Sequence, residues 1–206
     1  MNILMCNYEY PPLGGGGGVV HELIAEELAQ RHRVCVITSA YRDLPSHEVR
    51  NGVEIHRVPV LGRSETSVAS LVSMLSYPAP ATMQALRLLG RERFDVMNGH
   101  FAVPTGPASL AAAKRARIPH VISLHGGDIY DPSKRFSPHR VAGARWAVRT
   151  VLRHSDAVVA QSRNTSENAR RYYGFTGPIE IIPLGIRPMD VPLATRAELG
   201  LPEDVF

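Results

Sequence analysis

The stretch Val121-Ile-Ser-Leu-His-Gly-Gly-Asp128 is a short apolar run followed at once by polar and glycine residues. Its apolar half is typical of a buried strand. His125 and Asp128 place an imidazole and a carboxylate where that strand ends, and Gly126 and Gly127 leave room for a ligand to approach. In an open parallel sheet, ligands bind at the carboxyl ends of the strands. The stretch therefore predicts a parallel sheet with a binding site at its carboxyl edge.

A second stretch of this kind follows the first apolar run of the chain, residues 2–7. Tyr10-Pro-Pro-Leu13 leads into five consecutive glycines, and a helical pattern begins within them. Glycines between a strand and a helix let backbone N–H groups approach a phosphate, and the helix N-terminus adds partial positive charge. The candidate phosphate-binding residues are Gly14, Gly15, Gly16 and Gly17.

Apolar runs alternate with helical patterns along the whole chain. Strands are predicted at residues 2–7, 33–38, 53–58, 94–98, 119–124, 156–160 and 179–182. Helices are predicted near residues 17–31, 66–90, 105–117, 138–153 and 163–173, and Tyr77-Pro-Ala-Pro80 should divide the second of them. Strand runs without polar alternation, separated by helices, indicate an α/β fold: a Rossmann-like parallel sheet with helices on both faces.

The composition restricts the class of protein. With 206 residues, 44% of them apolar and 20% charged, the chain can bury a substantial core. A net charge of +4 is too small to indicate nucleic-acid binding, and we expect no nucleic-acid partner. No stretch of about 18 apolar residues occurs, so we expect no transmembrane helix, and residues 1–6 are expected to form a first strand and not a signal peptide. Cys6 and Cys35 lie in apolar runs and are expected to be buried free thiols, so we expect a cytoplasmic protein.

The glycine run does not match two common nucleotide-binding fingerprints. A dinucleotide fingerprint has its glycines directly after the strand and a Gly or Ala at the sixth position, where Val19 or Val20 stands here. The second predicted strand ends in Thr38-Ser-Ala40, without the acidic residue that binds a ribose. A P-loop needs Lys after its last glycine, whereas Val19 follows Gly18. A nicotinamide-dependent oxidoreductase is therefore disfavoured.

The histidines that follow two neighbouring predicted strands suggest a site for a hydroxylated ligand. His100 ends the run before the one that His125 follows, so both rings should face one cleft, together with Gly126 and Gly127. An imidazole can bind a sugar hydroxyl, and Asp128 can accept hydrogen bonds from one. An ordinary capped loop without a ligand is the alternative. A zinc site is disfavoured because no third ligand has a recognisable spacing.

Several motifs, in order, resemble those of the N-terminal domain of a family 4 (group 1) retaining glycosyltransferase of the GT-B fold. The resemblance covers nearly the whole chain. Its motifs are Tyr10-Pro-Pro-Leu-Gly-Gly15, Glu22-Leu23, Arg33–Thr38, Phe94-Asp-Val96 with His100, Ile118-Pro119 leading to His125-Gly-Gly-Asp128, Ser155–Ser162 and Ile181–Ile186.

The resemblance implies transfer of a sugar from a nucleotide-sugar donor to a carbohydrate or lipid-linked acceptor. It implies retention at the anomeric carbon and no cofactor or metal. By the same resemblance, Gly14–Gly17 lie near the donor phosphates. His125 and Asp128, the expected catalytic residues, lie near the transferring sugar. A donor phosphate oxygen, not a protein base, is thought to assist the acceptor in such enzymes, so His125 is expected to orient and polarise.

The same resemblance divides the chain into two parts. Residues 1–190 would form the acceptor-side domain, and residues 191–206 would lead toward a C-terminal donor-binding domain that this sequence does not contain. The chain alone is then expected to be inactive. A non-catalytic module of the same fold, which binds a carbohydrate, a lipid or a partner, is the alternative.

The predicted helix 138–153 carries Arg145, Arg149 and Arg153 four residues apart, with Trp146 beside them. A solvated basic face is one interpretation. The other is peripheral contact with an anionic inner membrane that carries a lipid-linked acceptor.

Overall fold

The computed structural model describes residues 1–185, 195, 196, 198 and 200, in which strands and helices alternate. The strands are β1 (Asn2–Cys6), β2 (Arg33–Ser39), β3 (His47–Arg50), β4 (Val53–Val58), β5 (Val96–His100), β6 (His120–Leu124), β7 (Ala157–Ala160) and β8 (Glu180–Ile181). The helices are α1 (Gly16–Ala29), α2 (Leu71–Ser76), α3 (Pro78–Arg91), α4 (Thr105–Ala116), α5 (Ala142–His154) and α6 (Arg163–Tyr173). Most of the predicted linker 191–206 lies outside the described residues.

The strands form one sheet in the order β3-β4-β2-β1-β5-β6-β7-β8. All neighbours are parallel except β3 and β4, which are antiparallel. The predicted α/β class with a parallel sheet is therefore confirmed. The chain winds outward from β1 in one direction through β2, and returns on the other side of β1 as β5. The loops after β1 and β5 separate at this point, which is where open α/β sheets bind ligands.

The predicted secondary structure is wrong at three places, one of which is the predicted helix 138–153, because this helix begins only at Ala142. Strand β3 was not predicted, because its residues are polar and lie in a segment without an apolar run. The turn behind it, Asn51-Gly52, has φ angles of 51° and 81°, and Asn-Gly is a common two-residue hairpin turn. The predicted helix 66–90 begins only at Leu71, after the cap residue Ser70, and it is divided at Tyr77 as expected.

The core lies on both faces of the sheet because strand side chains alternate. Ile3 and Met5 of β1 pack with the buried residues of β2 and β4 and with Ala25 of α1 on one face. Leu4 and Cys6 point to the other face, where α3 and α4 cover them. Further along that face, α5 and α6 pack over β6 and β7.

Both cysteines are buried free thiols, as predicted, and burial raises the pKa of Cys6 to about 12. None of the described helices is both long and apolar enough to cross a membrane.

Candidate functional site at the carboxyl edge of the sheet

Two of the predicted phosphate-binding glycines are required by local packing. Gly14 has a φ of +96°, and a Cβ on it would lie 2.5 Å from Oε2 of Glu9. Its N–H donates to the Thr66 carbonyl over 2.8 Å. A Cβ on Gly17 would clash with the ring of Phe101, at 2.3 Å from Cζ. Larger residues at these two positions would displace the loop.

Gly15 and Gly16 are the open part of the segment. A Cβ on either would meet nothing within 4 Å. Gly15 is the N-cap of α1, and its N–H donates to Oε2 of Glu9 over 3.3 Å. The first N–H groups of a helix have no acceptor within it and favour an anion, and the first turn of α1 holds no acidic residue. These two glycines leave room for a phosphate at the start of α1, but the Glu9 carboxylate occupies the Gly15 N–H, and a phosphate would have to replace it there.

Phe101 stands between the glycine segment and His125. Its ring contacts Gly17 on one side, and its centroid lies 4.5 Å from that of His125 on the other. The backbone of Phe101 has a φ of 70°, which a residue with a side chain rarely adopts. Such conformations cluster at functional sites. Nothing in the sequence marked Phe101, because the strain depends on how β5 enters α4.

His100 and His125 are joined in one hydrogen-bonded chain, as their neighbouring strands allow. Nδ1 of His100 lies 2.9 Å from Nε2 of His125, and Nε2 of His100 lies 2.8 Å from Oδ1 of Asn98. The ring of His21 on α1 contacts that of His100 at a tilt of 50°, with their centroids 4.3 Å apart. Sequence reasoning missed Asn98, although a polar residue inside an apolar strand is a detectable signal. His21 was missed because one histidine on a helix carries no pattern.

Burial keeps these imidazoles neutral. It lowers the pKa of His125 to about 4 and that of His21 to about 3, and it holds the pKa of His100 well below its usual value. No carboxylate among the described residues hydrogen-bonds to the three rings to offset this effect. The site therefore presents neutral rings at neutral pH, which can exchange hydrogen bonds with hydroxyl groups.

Asp128 ties two loops together. Its Oδ2 accepts from the N–H of Ala102 over 2.6 Å, and its Oδ1 accepts from the N–H of His125 over 3.0 Å. Burial raises the pKa of Asp128 to about 6, although these backbone donors favour the ionised form. The carboxylate thus fixes the start of the His125 loop against the segment that follows β5.

A cleft of about 640 Å³ opens beside these loops. Its walls come from the segment after β1, from α2 and the residues before it, and from the loops after β5 and β6. Most of the lining is apolar and includes Val68, Leu71, Met74 and Phe136, with Lys134 and Arg135 among the polar groups. Gly127 and Asp128 line this cleft, whereas His100 and His125 do not.

A second groove of about 500 Å³ holds the two histidines. It runs over the sheet face next to α1 and is lined by Asn98, His100, Ser123, His125 and Gln161 with several apolar residues. The side-chain amide of Gln161 donates to the carbonyl of His125. The predicted residues therefore lie at one edge of the sheet, but Gly127 and Asp128 line one hollow, His100 and His125 line the other, and Gly14–Gly17 and Gly126 line neither.

The described residues contain one close group of potential metal ligands, Cys35, Glu54 and His56. It lies on β2 and β4, away from the loops described above. Arg33 and His56 both hydrogen-bond to the Glu54 carboxylate, at 2.7 and 2.9 Å, so an ion pair with Arg33 and a hydrogen bond to His56 account for this arrangement.

Solved structures share this architecture. Sucrose-phosphate synthase from Thermosynechococcus elongatus matches 99% of the chain with a TM-score of 0.73 at 16% identity, over 53% of its own chain. Anabaena HepE in complex with UDP-glucose matches 90% of the chain, and 44% of its own, with a TM-score of 0.58 at 17% identity. At such identities these matches show the fold, which is that of GT-B glycosyltransferases.

Sequence comparisons identify the family. TuaC from Bacillus subtilis, named as a glycosyltransferase of teichuronic acid biosynthesis, is 26% identical over 99% of this chain and 56% of its own length. Alpha-maltose-1-phosphate synthase from Mycolicibacterium smegmatis is 26% identical over 100% of this chain and 49% of its own. The chain thus spans about half the length of these relatives. Because the sequence model of Glycosyltransferase Family 4 matches residues 13–189, the chain belongs to that family.

Proposed function

We propose that the chain is the acceptor-side half of a retaining glycosyltransferase. In this proposal a sugar moves from a nucleotide-sugar donor to a carbohydrate or lipid-linked acceptor, and the other half of the donor site comes from a second domain. One observation supports this proposal most strongly. The open N-terminus of α1 and a neutral, buried pair of histidines both lie where the strand order reverses.

The roles of the residues follow from their positions. The N–H of Gly16 would bind a donor phosphate, the N–H of Gly15 would join it only where the phosphate replaces the Glu9 carboxylate, and Gly14 and Gly17 shape the loop. His125 would bind the transferring sugar. Asp128 would act through His125, because both its oxygens already accept from backbone N–H groups.

The remaining predicted residues border the same ligand. His100 would act through its hydrogen bond to His125. Gly126, with a φ of +94°, would shape the loop, and Gly127, which has open space around its Cα, would border the acceptor in the large cleft. A helix N-terminus can meet the charge of a donor phosphate, so we expect no metal requirement.

A transfer assay on the full gene product tests this proposal. HepE has been solved with UDP-glucose, so that donor is the first to test. We expect a product with the anomeric configuration of the donor, an unchanged rate in EDTA, and no transfer by residues 1–206 alone. Inversion would contradict retention. Binding of a sugar ligand without transfer from any donor would favour the alternative, a non-catalytic module of the same fold.

Two surface features support a lipid-linked acceptor and peripheral membrane contact. Phe136 and Val68 line the large cleft with 64% and 61% of their surface exposed, and Lys134 and Arg135 adjoin them. On α5, Trp146 is 70% exposed. Such apolar side chains beside cations suit a lipid whose headgroup is anionic.

Flotation with liposomes tests the membrane contact. Replacing Arg145, Arg149 and Arg153 with Gln should reduce binding to vesicles rich in anionic lipid, and salt should weaken binding by the wild type. The matched control replaces Arg31, Arg91 and Arg93, three exposed arginines outside α5, and should retain binding. Equal loss in both variants would show a dependence on net charge alone, and no binding at low salt would contradict the membrane contact.

A further inference from the structure

The hydrogen-bonded chain from Asn98 to His125 has a direction, and the amide of Asn98 sets it. Nδ2 of Asn98 donates to the carbonyl of Val121 and to Oγ of Ser123, both over 3.2 Å. Its Oδ1 is therefore the atom that faces His100. Because an amide oxygen only accepts, Nε2 of His100 must carry the hydrogen of that 2.8 Å bond.

The position of this hydrogen on His100 then determines which nitrogen of His125 donates. A neutral His100 with its hydrogen on Nε2 has a lone pair on Nδ1. The neighbouring Nε2 of His125, 2.9 Å away, must therefore donate. A neutral His125 is left with a lone pair on Nδ1, and this atom is buried without a hydrogen-bond partner among the described residues.

We infer that Asn98 and His100 are positioning residues: they hold His125 in the tautomer with its hydrogen on Nε2, which leaves Nδ1 as a buried acceptor without a partner among the described residues. Such an atom recognises a donor, and the hydroxyl groups of a sugar are donors. It does not attract a phosphate, which needs a donor or a cation. His125 therefore selects the sugar part of the ligand, and the open N-terminus of α1 selects the anionic part.

The surroundings of the two rings are consistent with this direction. His21 contacts His100 with a tilted ring and is itself buried and neutral. Phe101 covers another side of His125 with an apolar ring. Neither neighbour offers a charge that would favour an imidazolium at His125. The identity of the ligand rests on the proposed function, but the tautomer does not.

The tautomers can be measured without any ligand. Long-range ¹H–¹⁵N correlation spectra of the chain labelled with ¹⁵N-histidine distinguish the two neutral forms and the cation. Single substitutions assign the signals of the nine histidines. At pH 7 we expect His100 and His125 to be neutral with the hydrogen on Nε2. A hydrogen on Nδ1, or a charged ring, at either residue would overturn the inference.

Two substitutions of His100 show whether its hydrogen bond to His125, or only the volume of its ring, sets the tautomer of His125. In His100→Gln the amide can still donate toward Asn98 and accept from His125, so His125 should keep one tautomer. In His100→Phe the ring volume remains but the acceptor is lost, so His125 should show a mixture of both neutral forms. The same single tautomer in His100→Phe would show that His100 does not set it. If neither variant folds, the wild-type spectrum still decides.

Ligand binding gives a second, separable readout. In the full gene product, His100→Phe should weaken binding of a nucleotide sugar about tenfold, the size of one neutral hydrogen bond, while binding of the nucleotide alone should not change. His100→Gln should restore most of the difference. Equal weakening for both ligands would contradict sugar recognition through His125. Absence of binding in the wild type would contradict the proposed function and leave the measured tautomer as it stands.

Discussion

Phe101 organises this edge of the sheet, although its own backbone conformation is strained. Its φ of 70° is unfavourable for any residue with a Cβ, but its ring separates the glycine segment from His125. The ring contacts therefore stabilise a backbone that the same residue strains. Phenylalanine has no local preference for this conformation, so the sequence could not have revealed it.

Substitutions of Phe101 should reverse the usual order of alanine and glycine. Both Phe101→Ala and Phe101→Gly remove the ring, but only glycine also relieves the strain. We expect Phe101→Gly to be more stable than Phe101→Ala by about 1 kcal/mol in urea denaturation. A more stable alanine variant would mean that the backbone at residue 101 is not in the left-handed region.

Asp128 is buried and should stabilise the two loops that its carboxylate joins. In Asp128→Asn the amide nitrogen would face one of two backbone N–H donors, so one hydrogen bond is replaced by a repulsion. We expect a loss of about 1–3 kcal/mol in the free energy of unfolding. Asp43→Asn, at an exposed carboxylate, is the matched control and should change it little. Equal effects would contradict the role of Asp128 as a clamp.

At the scale of elements, the prediction from sequence succeeded where burial and periodicity agree. The central strands are mostly apolar because at least one face of each is covered by helices, and each was found within two residues. Strand β3 is an edge strand whose pairing to β4 depends on the turn at Asn51-Gly52. An edge strand can be polar, so in this segment only the Asn51-Gly52 turn could have indicated a hairpin from the sequence.

The turn residue Gly52 and the helix residue Gly143 should respond to alanine in opposite directions. Gly52 has a φ of +81°, so Gly52→Ala should destabilise the hairpin by about 1 kcal/mol. Gly143 lies in α5 with nothing within 4 Å of a Cβ, so Gly143→Ala should stabilise by 0.5 to about 1 kcal/mol. Thermal unfolding of both variants checks this. Effects of the same sign would contradict the described turn or the described helix.

At the scale of the whole molecule, the sequence predicted the fold class, which is confirmed, and it predicted that the candidate site residues lie at one edge of the sheet. Both follow from the order of strands and helices, which local patterns encode. The division of the site into two hollows depends on how residues distant in sequence pack together. For His100 and His125, the sequence predicted only that the two rings lie close together. The direction of the hydrogen bond between them depends on Asn98 and on the neighbouring strand.

Buried histidines should make the fold sensitive to acid. The pKa of His120 and that of His125 fall to about 4, and that of His21 falls to about 3, so the unfolded chain binds more protons below about pH 6.5. Their stabilising contribution is present above that pH and is lost as the pH falls toward 4. Each such group contributes a slope of about 1.4 kcal/mol per pH unit in this range.

Asp128 opposes this trend, since its raised pKa of about 6 gives a contribution that is lost as the pH rises from about 4 through 6. The histidines outnumber it, so urea denaturation at pH 7, 6 and 5 should show a falling free energy of unfolding. His120→Gln, away from the site, should reduce the slope. A stability that is constant from pH 7 to 5 would contradict the neutral, buried state of these rings.

The rate of sugar transfer by the His125→Ala variant of the full gene product tests the central claim most directly. We expect the fold to survive and the rate to fall about a hundredfold, because a positioned hydrogen-bonding group is lost from the site. His154→Ala, at an exposed histidine of α5, is the matched control and should keep the wild-type rate. A wild-type rate in His125→Ala would remove His125 from the mechanism and contradict this account of the site.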